Sequence, residues 1–229
     1  MSNYGNSFQR TTPVVLNLLI INGLIFLIQN VVGGSVSPNK IDDLFALHYY
    51  KSEYFKPHQL ITHMFMHAGI AHILFNMFAL WMFGSLLERV WGPKRFLIFY
   101  FICGIAAGIA QLISYTVQYC NIDHLVLDAA NYELYQEHLR AAFTVGASGA
   151  IMGLLGAFAY LFPNTPLIIF PVPFPIKAKW AIAVIAAIDI FGGVYDSGDN
   201  IAHFAHIGGL LAGLILVIIW NKTNKRTFY

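Results

Sequence analysis

The chain has 229 residues, 58% of them hydrophobic and only 10% charged, with a net charge of +2. Soluble domains carry roughly 25% charged residues, so this composition and a mean hydropathy of +0.63 exclude an ordinary soluble domain and point to a polytopic membrane protein. The small net charge leaves no electrostatic footprint for nucleic acid, and two cysteines, Cys103 and Cys120, do not make a disulfide framework.

The first twelve residues are polar and carry one arginine, Arg10. They lack the basic start and small-residue cleavage site of a signal peptide, so the first apolar run is read as retained. A helix needs roughly 17–25 apolar residues to cross a hydrocarbon core. Six runs meet or approach that length: 13–32, 72–87, 96–119, 148–162, 180–195 and 201–220. The expected fold is therefore an all-α membrane protein, a single polytopic domain over 1–229 with a six-helix core at about 13–220.

A long segment, 33–71, follows the first run and holds His63 and His67. The second run opens with His72 and Asn76 and ends at Glu88 and Arg89, which read as structural. Cys103 in the third run reads as a core residue. The segment 121–140 is long and acidic and reads as a solvated loop, a substrate-facing lid being the alternative. The fourth run opens with Gly146-Ala147-Ser148-Gly149, and Gly146, Gly149, Gly153 and Gly156 share one helix stripe. In the fifth, Asp189 lies at a depth that permits an approach to the site and reads as either a structural hydrogen-bonding group or the third member of a triad. The sixth carries Ala205-His206-Ile207-Gly208-Gly209, with Gly213 one turn on. Small stripes let membrane helices approach closely. Packing the two stripes together places the His206 ring over Ser148. Trp81, Trp91 and Trp220 read as interface anchors.

Basic residues set the orientation. With the N-terminus in the cytoplasm, Arg10, Arg89, Lys94, Arg95, Lys177, Lys179, Lys222, Lys225 and Arg226 fall inside. Lys40, Lys51, Lys56 and Arg140 fall outside, with Asp42, Asp43, Glu53, Asp123, Asp128, Glu133, Glu137, Asp196 and Asp199. Both termini are then cytoplasmic. His72, Asn76, Ser148 and His206 share one layer near the outer face, where hydrolysis requires a water-filled cavity. Polar groups at membrane depth are costly and usually face a protein interior or such a cavity.

A serine hydroxyl needs an adjacent base. Neutral His206 is the candidate, as acceptor of the Ser148 proton and later donor to the leaving amine. The Ser148 amide and the side chains of His72 and Asn76, four apart on one helix face, are candidate oxyanion donors. His203 shares the His206 face approximately and is the alternative candidate base. His63, His67 and His72 show no metal-binding motif and no nearby carboxylate, so no metal, cofactor or ATP is expected.

With Thr62-His63-Met64-Phe65-Met66-His67 and Ala71-His72-Ile73-Leu74-Phe75-Asn76, these stretches resemble the rhomboid family of intramembrane serine proteases over the whole span 13–220. The resemblance implies a compact six-helix bundle with a long first loop partly in the membrane, supplied by 33–71. It implies a Ser148–His206 dyad, oxyanion binding by His72 and Asn76, and hydrogen-bonding roles for His63 and His67 in the first loop. It also implies cleavage in or beside a transmembrane segment of another membrane protein, releasing a domain outside the cytoplasm. Two positions depart from the family pattern. Met152 stands where many relatives place an aromatic ring on the catalytic histidine, and His58-Gln59 replaces a Trp-Arg pair that anchors the loop.

The expected partners are the lipid bilayer and transmembrane substrates with Gly, Pro or polar residues in the outer part of their helix, because a helix must unwind before cleavage. A small residue is expected just before the cut. A bacterial plasma membrane fits the compact plan. The alternatives are a catalytically inactive rhomboid-like binder of membrane helices, against which stands the retention of both Ser148 and His206, and a transporter, against which stands the clustering of ionisable groups at one face. The sequence leaves the oligomeric state open.

Overall fold

The computed structural model of the chain describes residues 12–34, 38–119, 129–168, 173–195 and 201–223. Cys120, Asp123, Asp128, Asp196, Asp199, Arg10, Lys225 and Arg226 lie outside the described residues. Within them the chain is mostly helical. In order come α1 (Pro13–Gly33), α2 (Lys40–Phe45), α3 (Gln59–Thr62), α4 (Ile70–Ala79), α5 (Ser85–Trp91), α6 (Pro93–Tyr119), α7 (Ala129–Ala141), α8 (Ser148–Leu161), α9 (Ala178–Tyr195) and α10 (His203–Thr223). Two short antiparallel pairs interrupt them, β1 (Leu47–His48) with β2 (Phe143–Thr144) and β3 (Pro166–Leu167) with β4 (Ile176–Lys177).

Among the described residues, five helices are long and apolar enough to cross a membrane: α1, the continuous stretch Ile70–Trp91, α6, α9 and α10. Helix α8 is apolar too, but its 14 residues make it shorter. At 1.5 Å per residue it reaches about 21 Å. Residues 149–158 are all buried, so α8 is the centre of the bundle, held against α6 and α10. A helix apolar on every side belongs in such a place.

The expected glycine stripes are the α8–α10 contact. A Cβ on Gly209 would collide with the Gly149 carbonyl, and one on Gly213 with the Gly153 carbonyl. Only backbone fits between the two helices there. Helix α1 is the opposite case, with Leu24, Leu27 and Val31 more than half exposed, an apolar surface suited to lipid.

The second apolar helix is longer than its expected 72–87. A wide π-type turn, Leu80–Gly84, joins α4 to α5, and the helix continues through Glu88 to Trp91. Glu88 does not end it because its buried carboxylate accepts from the Val14 and Val15 amides at 3.0 and 2.8 Å. It thereby satisfies donors at the start of α1 that no side chain of that helix caps. Gly92, with φ +81°, stops the helix, and Pro93 opens the next. Trp91 differs from expectation as well. It is buried against Phe99 and Trp220, with ring centroids 4.7 and 5.7 Å away, and is a core residue rather than an interface anchor. Cys103 is buried in the same core.

The first loop folds around one side chain. The Gln59 oxygen accepts from the amides of His48 (3.3 Å) and Lys56 (3.1 Å). Its NH2 group donates to the carbonyls of Asp43 (3.1 Å) and Tyr54 (2.8 Å). His58 Nε2 lies 2.8 Å from the Leu44 carbonyl, and the Thr62 hydroxyl donates to that of Phe45. The His58-Gln59 pair thus supplies the anchoring that its departure from the family pattern left open. Gln59→Leu is expected to destabilise this loop strongly, since each orphaned buried group costs about 1–3 kcal/mol. Amide hydrogen exchange at His48 and Lys56 checks it. Protection equal to wild type would remove Gln59 from this role.

Part of the expected solvated loop is a helix. Leu139 of α7 is fully buried beside Tyr49, Tyr115 and Tyr119. Arg140 donates from Nε and Nη2 to the two Asp43 oxygens, both at 2.8 Å, and Gln136 accepts from the Glu53 amide. Helix α7 is therefore docked on the first loop. Residues 121–128 lie outside the described residues.

Candidate active site

Ser148 is the first residue of α8. The segment leading to it is stitched to the first loop: Leu47 pairs with Thr144, the Tyr115 and Thr144 hydroxyls lie 2.7 Å apart, and the Gly146 amide donates to the His63 carbonyl at 2.9 Å. Gly146 has φ +129°, a conformation that side-chain-bearing residues rarely adopt, and a Cβ there would lie 2.8 Å from His72 Nε2. The glycine lets the His72 ring approach the serine.

On α10, His206 points toward α8, and its Nε2 is 2.8 Å from Ser148 Oγ. Its Nδ1 is 2.9 Å from Asp189 Oδ1 on α9. The same oxygen lies 2.9 Å from His203 Nδ1. His206 therefore reaches the serine, and His203 reaches the aspartate. Asp189, for which the implied dyad leaves a structural hydrogen-bonding role, hydrogen-bonds the histidine that meets Ser148. The signal for it was present, since an ionisable residue within a membrane helix is by default a functional-site candidate. Met152 is buried in the main core.

His72 and Asn76 stand on α4 facing the same space. The Ala68 amide donates to His72 Nδ1 at 3.3 Å, so the hydrogen of the neutral ring sits on Nε2, on the side of Gly146 and Ser148. Asn76 Nδ2 is buried and has no hydrogen-bond partner among the described residues. Buried polar groups are nearly always paired, so this NH2 group is a candidate donor to a bound group. A cavity of about 830 Å³ is lined by Ser148, His206, His72, Asn76, Phe75 and Thr144.

His63 and His67 do not line this cavity. His63 Nδ1 lies 2.7 Å from the Gln59 carbonyl, and burial pushes the ring down to about 4. Burial, and then the neighbouring His72, push His67 down to about 4, and its ring packs edge-on against His72. Both are neutral at physiological pH, His63 as a hydrogen-bonding group and His67 as a packing group whose two ring nitrogens have no hydrogen-bond partner among the described residues. Among the described residues, no group of three or more His, Cys, Asp or Glu side chains is arranged to hold a metal ion.

Comparison with known proteins places the chain in a family. The family model described as the Rhomboid domain matches residues 54–222. The chain is 29% identical over 215 residues to rhomboid protease GluP of Bacillus subtilis, an alignment covering 90% of this chain and 34% of that protein. It is 33% identical over 162 residues to RHOMBOID-like protein 6, mitochondrial, of Arabidopsis thaliana, covering 70% and 43%. It is 30% identical over 164 residues to rhomboid protease AarA of Providencia stuartii, covering 69% and 53%. The chain thus spans about a third to a half of the length of these relatives. With the family model matched over most of its length and five helices able to cross a bilayer, the chain belongs to the rhomboid family of multi-pass membrane proteins.

Proposed function

We propose that the chain is an intramembrane serine endopeptidase acting on other membrane proteins. The observation that carries this reading is the 2.8 Å approach of His206 Nε2 to Ser148 Oγ beside a cavity of about 830 Å³. In this reading α8 is a sixth, short span, both termini are cytoplasmic, the site opens to the outer face, and the first loop lies partly in the membrane. The short central helix keeps Ser148 below the surface yet next to water.

Ser148 Oγ attacks the scissile carbonyl as His206 takes its proton. The imidazolium then protonates the leaving amine, and water hydrolyses the acyl-enzyme by the reverse proton path. The negative oxygen forms beside the start of α8, where backbone N–H groups have no intrahelical acceptor and the helix dipole favours an anion. The Ser148 amide, His72 Nε2–H and the unpartnered Asn76 Nδ2 are the donors. Substrates are helices that Gly, Pro or polar residues allow to unwind locally, because a helical backbone in lipid is fully hydrogen-bonded.

The test uses purified protein in liposomes with a fluorogenic transmembrane peptide and a fluorophosphonate. Cleavage is expected, and the fluorophosphonate is expected to stop it as a single adduct on Ser148, read by mass spectrometry. A protein that binds the peptide without cutting it, and takes up no fluorophosphonate, would instead be a non-catalytic binder of membrane helices.

A further inference from the structure

Resting on that reading, we propose that Asp189 is a positioning residue that holds His206 in the tautomer and orientation of a base, and that His203 in turn holds Asp189. A carboxylate in the middle of an apolar helix is costly to keep at membrane depth unless it is paired. Asp189 is only 5% exposed, and one of its oxygens lies between two imidazoles. His203 and His206 are three apart on α10 and so share a helix face. A carboxylate oxygen only accepts, so each facing Nδ1 carries its hydrogen. That leaves His206 Nε2 with a lone pair aimed at the Ser148 hydroxyl, the arrangement a general base requires. When the serine proton arrives, the imidazolium already faces a negative charge.

The backbone of α9 is shaped for this contact. One turn after Asp189, a Cβ on Gly192 would run into the His203 ring, and one on Gly193 would come within 3.1 Å of Phe204. The glycine pair lets α10 bring its histidines up to the aspartate. Met152, which stands where many relatives place an aromatic ring on the histidine, makes orientation from the Nδ1 side more important in this chain.

A helix-pinning role alone would also explain a buried Asp–His pair, and the experiment separates the two. Asp189→Asn keeps the shape but removes the charge and lets an NH2 group face His206, which favours the wrong tautomer. Its kcat on the transmembrane peptide is expected to fall on the order of ten-thousand-fold, the loss that the same substitution causes in a serine-protease triad. KM and the detergent melting temperature are expected to stay near wild type, and fluorophosphonate labelling of Ser148 to slow in parallel with kcat. His203→Gln, which spares the Asp189–His206 bond, is expected to lower kcat less than tenfold. In the wild type, a strongly downfield imidazole N–H proton resonance is expected that persists in His203→Gln and vanishes in His206→Ala. This signature holds even if Asp189→Asn fails to fold.

The proposal is overturned if Asp189→Asn retains kcat within tenfold of wild type. It is also overturned if both variants lose melting temperature and activity together, or if the resonance is absent. Failure of the underlying reading looks different, because the wild type itself would then bind the peptide without cutting it and take up no fluorophosphonate, or cleavage would survive Ser148→Ala and His206→Ala whatever Asp189→Asn does.

Discussion

Replacing either Ser148 or His206 with alanine is expected to lower kcat by about a million-fold, and replacing both is expected to cost no more than either alone. Nucleophile and base act as one unit, so removing one leaves the other without a task, and the effects of such residues are far from additive. In this chain the pair is joined by a single 2.8 Å hydrogen bond between two helices, 58 residues apart in sequence. Neither residue has a partner that would take over. His203, the other histidine of the cluster, meets the aspartate and not the serine. Alanine at position 148 suits the first turn of a helix, and alanine at 206 leaves the glycine contact untouched, so both variants are expected to melt near the wild-type temperature. Initial rates on the transmembrane peptide in liposomes, with melting in detergent, measure this. Cleavage persisting in Ser148→Ala would point to another nucleophile. A double variant much slower than either single one would mean that the two residues act independently.

Gly209→Val is expected to lose activity and stability together. The Gly209 Cβ position is occupied by the Gly149 carbonyl, and the Gly213 position by that of Gly153. The obstacle in each case is backbone, so no side chain can turn aside and the two helices must separate. Overpacking of this kind typically costs about 1–3 kcal/mol and occasionally more, and a fully buried backbone contact belongs at the upper end. The larger effect is catalytic. Gly149 follows Ser148 directly, and His206 lies three residues before Gly209, so any separation opens the Ser148–His206 bond. Misplacement by about 1 Å can cost a hundred-fold in rate. Gly23→Val is the matched control, since nothing lies within 4 Å of a Cβ at Gly23 on α1. Its melting temperature and peptide cleavage should stay close to wild type. Equal behaviour of the two valine variants would mean that the α8–α10 contact does not set the site geometry.

The first loop reaches the chemistry through the backbone. Gln59 gathers four main-chain groups, β1 pairs with β2, and the His63 carbonyl receives the amide of Gly146, two residues before Ser148. The loop is therefore braced directly against the serine-bearing turn. Helix α7 extends the same bracing through Arg140 and Asp43, a bidentate pair whose fixed geometry makes it stronger than a single surface contact.

Sequence alone determined the membrane character, the apolar helices and the glycine stripes, along with the positions of Ser148, His206, His72 and Asn76. The physical reason is that each is a local pattern. Lipid forces a spanning backbone to satisfy itself as helix, so runs of apolar residues become helices almost without regard to their neighbours. Spacings of three and four then state which residues share a face. The tertiary structure decided what those faces meet. Glu88 caps a helix 73 residues away, which carried the second helix past its expected end. Trp91 turned inward onto Phe99 and Trp220, and 129–141 became a helix because Leu139 found a cluster of tyrosines. Asp189 was visible as a charge at membrane depth with a triad role as one alternative, but its contact with His203 was not. Which imidazole a carboxylate meets depends on the rotation and closeness of α9 and α10, and the close contacts that Gly192 and Gly193 permit there exist only once the two helices have packed.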